Sequence, residues 1–133
     1  MAQRRYFRQV IIRYLMVPQE ETYDAELDWI FQCLGLGDET DELARAIFRE
    51  LVRGSKEGRG VSSRELMDKV NVTQAAVVYH LNTFMRSGLV VKHGRLYHLR
   101  GGSLVHALEE IENDMVRRMQ RLQEMAKKIE EAW

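Results

Sequence analysis

Cysteine and proline are almost absent from this chain of 133 residues, which contains one of each. Because a disulfide needs two cysteines, Cys33 can form neither an intrachain disulfide nor a multi-thiolate metal site within one chain. Long apolar runs are also missing, since Arg13 interrupts the stretch 10–17 and no small-residue cleavage site follows it. We therefore expect no signal peptide, no membrane span and a location in the reducing cytoplasm.

The chain also lacks an excess of charge of one sign, with 20 Lys and Arg against 20 Asp and Glu. The two signs are nevertheless separated along the sequence. Residues 1–17 carry +4, residues 18–52 carry −8, residues 53–102 carry +6 and residues 103–133 carry −2. A segregation of this kind indicates an electrostatic binding face.

Motifs for catalysis are missing as well. The sequence shows no nucleophile with a neighbouring base, no glycine-rich phosphate loop and no paired carboxylates at a catalytic spacing. The spacing of His93, His98 and His106 is not that of a zinc site. We expect neither an enzyme, a metal site nor a cofactor.

Helical periodicity dominates the first part of the chain. Residues 3–17 suit either a helix or a strand, with helix favoured, and Pro18 ends the segment. A second helix is predicted over about 20–34, closed by Gly35, on an apolar stripe of Tyr23, Leu27, Ile30, Phe31 and Leu34.

A third helix is predicted after residue 40. Thr40 or Asp41 can cap it, Asp41 can pair with Arg45, and Gly54 is expected to end it. Its inward face would comprise Leu43, Ile47 and Leu51. Residues 54–60 are predicted to form a loop.

Two short helices joined by a tight turn are predicted next. Ser62 followed by Glu65 is a capping-box pattern, Asn71 suits a left-handed turn, and Thr73 offers a second cap. The first of these helices would turn Leu66 and Val70 inward. The second, over 74–87, would bury Val77, Leu81, Phe84 and Met85 and would end at Gly88.

Residues 89–93 and 95–99 are rich in strand formers and are predicted to meet in a two-residue turn at His93-Gly94. The order helix, turn, helix, hairpin predicts a winged helix-turn-helix. The expected fold is thus mainly α, with a short β-hairpin wing, extra N-terminal helices and a long C-terminal dimerisation helix. We divide the chain into an N-terminal helical segment (1–54), the winged helix (55–102) and the last helix (103–133).

The last helix is predicted to begin after a cap at Ser103 and to run nearly to the end of the chain. At about 1.5 Å per residue it would be about 45 Å long, more than a winged-helix core can cover. A second copy of the chain is the expected cover, and the alternative is residues 3–52 of the same chain. The stripe to be buried consists of Leu104, Leu108, Ile111, Met115, Met119, Leu122, Ala126, Ile129 and Trp133.

The run from Val72 to Val90, VTQAAVVYHLNTFMRSGLV, resembles the recognition helix of archaeal and bacterial ArsR/MarR-type winged-helix regulators. The resemblance implies a homodimeric transcriptional regulator that binds double-stranded DNA. It places on the DNA side Thr73, Gln74, Ala75, Val78, Tyr79 and Asn82. Phosphate contacts are expected from Arg64, Lys69, Arg86, Lys92 and Arg95.

No Arg or Lys occurs between Thr73 and Met85, so we expect adenine contacts from Gln74 or Asn82 instead of bidentate guanine contacts. Two alternatives remain at this stage. One is a winged helix that binds proteins, with the acidic block 18–52 as the docking face. The other is a redox or metal sensor, because some ArsR-type sensors bind zinc through a pair such as His106 and Glu109, although the further ligands of those sensors are missing here.

Overall fold

The computed structural model describes residues 12–132, which are mainly helical with one small antiparallel sheet. The winged helix-turn-helix fold and the long last helix are confirmed. In chain order the elements are α1 (Tyr23–Cys33), α2 (Glu42–Lys56), β1 (Val61–Ser62), α3 (Ser63–Val70), α4 (Gln74–Arg86), β2 (Val90–His93), β3 (Leu96–Leu99) and α5 (Leu104–Ala132). A short 3₁₀ turn, Arg100–Gly102, joins β3 to α5.

Hydroxyl side chains begin four of the five helices. In each case the side-chain oxygen accepts a hydrogen bond from the backbone N–H three residues further on, which satisfies one of the donors that a helix start leaves unpaired. The predicted caps at Ser62, Thr73 and Ser103 are confirmed, and Thr22 is a fourth. Asn71 adopts the predicted left-handed conformation between α3 and α4, with φ of 53°.

Gly54 does not end α2, contrary to the prediction. The helix continues to Lys56 and closes at Gly58, which has a φ of 71°. Gly54 is buried, and a Cβ atom there would lie 2.7 Å from Cγ2 of Val61. The glycine therefore lets α2 approach β1 closely, at the usual cost of glycine inside a helix.

The predicted pairing of Asp41 with Arg45 is also wrong. The guanidinium of Arg45 instead binds the carboxylate of Asp28 on α1 and the backbone oxygen of Asp38. Asp41 accepts a hydrogen bond from the backbone N–H of Asp38 at 2.8 Å. Arg45 thus joins α1 to α2, a tertiary contact that helical spacing alone does not indicate.

The segment before α1 is not helical over residues 12–17, so the helix favoured for 3–17 is wrong there, and residues 3–11 lie outside the described residues. Its backbone bonds to α1 instead of to itself. The N–H of Arg13 donates to the carbonyl of Cys33 at 2.7 Å, and the indole of Trp29 donates to the carbonyl of Leu15 at 3.3 Å. These bonds hold an extended chain beside α1.

The sheet has three strands in the order β1-β3-β2, one more than predicted. His93 pairs with Leu96, so the two-residue loop of the hairpin is Gly94-Arg95 and the predicted turn at His93-Gly94 is one residue early. Gly94 takes a φ of 63° at the first loop position, a position that favours glycine in a tight hairpin. Arg95 therefore lies in the tip of the wing itself.

One apolar core extends from α1 through the winged helix to the start of α5. Its largest fully buried side chains include Phe31, Phe48, Phe84, Leu66 and Ile111. On α5 only Ala107 and Ile111 are buried, while Leu104 and Leu108 are half-buried. Beyond Asp114 the described part of α5 leaves the core. No helix within residues 12–132 is both long and apolar enough to cross a membrane.

An ion-pair cluster fixes the direction in which α5 leaves the winged helix. Nη1 of Arg100, just after β3, lies 2.5 Å from a carboxylate oxygen of Asp114, and Nε lies 2.6 Å from Glu110. Asp114 also binds Arg117 on the next turn. The hydrogen bond from Arg100 lowers the pKa of the Asp114 carboxyl below its ordinary value.

We expect Asp114→Asn to lower the free energy of unfolding by about 1 kcal/mol at pH 7, because it weakens a partly shielded, charge-assisted contact. The pKa of Asp114 is lower in the folded state, so its contribution is complete above the unfolded value of about 3.9 and is lost as the pH falls through the folded one. Denaturant unfolding from pH 7 to pH 2.5 should show the two proteins converging at the acid end. A difference that is constant with pH would contradict this assignment.

Candidate nucleic-acid interface

The two faces of α4 have opposite characters. Val77, Leu81 and Phe84 are fully buried against the rest of the core. On the other face Thr73, Gln74 and Ala75 are exposed in the first turn, and Tyr79 is 65% exposed one turn later. Val78 and Asn82 are half-buried at the edges of this face. The structure therefore brings the six predicted base-facing residues onto one side of one helix, four of them in full contact with solvent.

The first turn of α4 presents polar groups with different freedom. The hydroxyl oxygen of Thr73 accepts the N–H of Ala76 at 3.3 Å, so it holds the helix start as well as facing outward. The amide of Gln74 forms no hydrogen bond to any side chain or backbone group within residues 12–132. Gln74 thus keeps both a donor and an acceptor for a ligand, which is the combination that reads the edge of adenine.

Tyr79 and His80 form an edge-to-face aromatic pair, with ring centroids 5.2 Å apart. Partial burial lowers the pKa of His80, which favours its neutral form. Because the ring of Tyr79 lies outside the core, its phenol is available to a base or a phosphate. The pair therefore extends the exposed face of α4 by one helical turn.

The electrostatic setting of α4 and the wing is uniformly non-acidic, because no Asp or Glu occurs between Asp68 and Glu109. Arg64 on α3, Arg86 at the end of α4 and Arg95 at the wing tip are exposed. The ammonium of Lys92 lies 5.2 Å from the ring centroid of Tyr97, its partner across the hairpin. These four cations surround the exposed face of α4 in sequence and are open to solvent.

Lys69 differs from the other predicted phosphate contacts. Its Nζ lies 3.2 Å from a carboxylate oxygen of Glu50 on α2, so part of its charge is already compensated. Arg59, another exposed cation near α3, is compensated by Glu57 and by Glu65. Its hydrogen bond with Glu57 raises the pKa of Arg59 and lowers that of Glu57. Both cations are less available to a phosphate than Arg64 or Arg95.

Sequence reasoning missed the histidines of the wing. The rings of His93 and His98 lie 5.4 Å apart on one face of the hairpin, beside the Gly94-Arg95 tip. The ring of His98 covers Gly60, where a Cβ atom would lie 2.5 Å from it. The available signal was the two-residue alternation in the hairpin, which places Val91, His93, Leu96 and His98 on the same face once the register is known. Only His93 is exposed.

The predicted dimerisation stripe lies along one side of α5. Leu104, Leu108 and Ile111 contact the core, whereas Met115, Met119, Leu122 and Ile129 are 37–65% exposed. The structure adds three exposed apolar residues that the prediction left out, Val105, Val116 and Met125. They flank the predicted stripe on the helix surface, so the apolar face is wider than the predicted one. Among residues 12–132, no group of three or more potential metal ligands converges.

A helix-turn-helix followed by a two-stranded wing defines the class as winged-helix proteins. Residues 40–93 match a family model described as a helix-turn-helix domain. The matched range begins just before α2 and ends with β2, so it contains all of α3, Asn71 and α4. This part of the chain is thus a helix-turn-helix domain, the type that typically binds DNA. No curated protein and no solved structure matches the chain.

Proposed function

We propose that this protein is a sequence-specific DNA-binding transcriptional regulator of the ArsR/MarR type, acting in the cytoplasm as a homodimer. The observation that carries the proposal is the outward face of α4. Its first two turns expose an unpaired amide, short methyl-bearing groups and a phenol, within a stretch of the chain that has no acidic residue. Such a surface is suited to the major groove of DNA.

In this mechanism the N-terminal half of α4 enters the major groove. Gln74 pairs with an adenine edge, while Ala75 and Val78 contact thymine methyl groups. Arg64 and Arg86 bind phosphates on either side of the groove and fix the position of the helix without reading sequence. Lys69 contributes less, because Glu50 already holds its ammonium group.

The dimer is supported by the apolar face of α5. Met119, Leu122 and Ile129 are each more than half exposed, which is unusual for apolar residues on a helix that continues for several turns. A second copy covering this face would give a two-fold symmetric reader. Its two α4 helices would bind successive major grooves about 34 Å apart on a pseudo-palindromic site.

Gln74→Ala is expected to weaken binding to the preferred site by about 1–3 kcal/mol and binding to random DNA by much less, because it removes a base contact. Fluorescence anisotropy on a site selected from a random library measures both affinities. Gln123→Ala, which removes an exposed amide on α5, is the matched control and should leave both unchanged. An equal loss on both DNAs would show that Gln74 does not read a base.

Replacing Lys92 and Arg95 together with alanine is expected to weaken specific and non-specific binding by similar factors, since the wing meets backbone phosphates. The plot of log affinity against log salt should flatten by up to about two per protomer. Arg49→Ala combined with Arg53→Ala removes two cations from α2 and should leave the slope unchanged. An unaltered slope in a folded, dimeric wing variant would favour a protein-binding winged helix instead.

A further inference from the structure

Two unfilled apolar depressions follow the first half of α5. The first, which we term the α1–α5 groove, has a volume of about 370 Å³ and is lined by Tyr23, Leu27 and Ile30 of α1 and by Leu104 and Val105 of α5, among others. The second, the mid-helix hollow, has a volume of about 460 Å³ and lies along Leu108, Glu112, Val116 and Met119. Within residues 12–132 neither is filled by a side chain of the same chain.

The second half of α5 carries apolar side chains that lack a counterpart. Leu122, Met125 and Ile129 are 65%, 57% and 53% exposed, respectively. The α5 helix is continuous from Leu104 to Ala132. At 1.5 Å per residue Ile129 is about 36 Å along the axis from Val105. The helix therefore cannot fold its own end back into the α1–α5 groove.

Charge is divided between the two halves of α5. Residues 104–116 contain four acidic residues and no Lys or Arg, whereas residues 117–128 contain five Lys and Arg and one acidic residue. Glu110 and Asp114 are held by Arg100, but Glu109 and Glu112 form no ion pair with any group in residues 12–132. Side-by-side helices in the same direction would bring like charges together, and opposite directions would bring unlike charges together.

We propose that two copies of α5 pair in antiparallel orientation, so that the end of each helix occupies the α1–α5 groove of the other copy. This inference rests on the homodimer proposed above and specifies its geometry. With the two-fold axis near Arg117, Leu122 lies opposite the partner's Glu112, at the mid-helix hollow, and Ile129 lies opposite the partner's Val105, at the groove. The separation of Leu122 and Ile129, about 10 Å, equals that of Glu112 and Val105.

The antiparallel arrangement satisfies three features of one chain together. It fills both depressions with apolar side chains that are otherwise exposed, and it sets the basic half of one helix beside the acidic half of the other. It also places α1 of each copy in the dimer interface, because Tyr23, Leu27 and Ile30 form one wall of the groove. A parallel pair would leave the groove open and place Ile129 next to the partner's Ile129.

Cysteine cross-linking tests this geometry in the full chain, with Cys33→Ser as the background. Val105→Cys and Ile129→Cys are made as separate proteins, and both positions are exposed enough to tolerate the change. After the proteins are mixed, allowed to exchange subunits and oxidised, a covalent heterodimer is expected, whereas each protein alone should give little covalent dimer. Glu131→Cys, two residues further and on another side of α5, replaces Ile129→Cys as the control and should not cross-link to Val105→Cys.

Covalent dimers of Ile129→Cys alone would overturn the antiparallel geometry in favour of a parallel one. A dimer by light scattering that cross-links in neither combination would also overturn it, because another face must then be the interface. Monomers at every concentration would instead contradict the proposed homodimer itself. If Val105→Cys resists alkylation in dilute monomer and reacts only once residues 1–11 are removed, the groove is filled by the chain's own N-terminal segment and the proposal is wrong.

Discussion

Replacing Met119 and Leu122 together with glutamate is expected to convert the dimer into a folded monomer and to weaken binding to a two-half-site operator by about 10²–10⁴-fold. The affinity falls this far because the second half-site no longer binds in an intramolecular step. Both side chains are more than half exposed in the single chain, so the substitutions should leave its fold intact. Two carboxylates at the centre of an apolar interface, by contrast, would have to lose their hydration.

Light scattering measures the oligomeric state of this variant, and circular dichroism and anisotropy measure its folding and DNA affinity. The control combines Asn113→Glu with Gln120→Glu, which adds two carboxylates on another side of α5 and should leave a dimer. A glutamate variant that is still a dimer would show that the apolar face of α5 is not the interface. Affinity for an isolated half-site should differ little between the variant and the parent.

Phe84→Ala is expected to lower the free energy of unfolding by about 3–5 kcal/mol, the second largest effect on the molecule. The ring of Phe84 is fully buried on the inner face of α4, where it belongs to the core shared by the whole domain. Its removal leaves a cavity that the surrounding helices can close only in part. DNA binding should be lost at temperatures where the variant unfolds and be nearly normal well below them.

Tyr79→Ala is the matched change on the outer face of the same helix. Because Tyr79 is 65% exposed, its removal should alter the free energy of unfolding by no more than about 0.5 kcal/mol. Affinity for the selected DNA site should nevertheless fall by about tenfold. Chemical denaturation and anisotropy separate the two variants, and a large loss of stability in Tyr79→Ala would show that the two faces of α4 have been assigned wrongly.

Features that depend on neighbouring residues followed from the sequence. The caps at Ser62, Thr73 and Ser103 and the left-handed turn at Asn71 were predicted, because each is a local bond or a local backbone preference. Helical periodicity identified Val77, Leu81 and Phe84 as the inner face of α4, and the exposed face of the candidate site follows from it. The sequence does not show which cations on that surface are already paired.

What the sequence by itself determined is therefore the order of elements, the winged helix and the two faces of α4. Tertiary structure decided the contacts between distant segments. Arg45 binds Asp28 instead of Asp41, Gly54 remains within α2 so that the helix can approach β1, and Lys69 gives part of its charge to Glu50. The backbone of residues 12–17 likewise bonds to α1. The physical reason is that periodicity and capping act within a few residues, whereas an ion pair or a close approach depends on which surfaces the fold brings together.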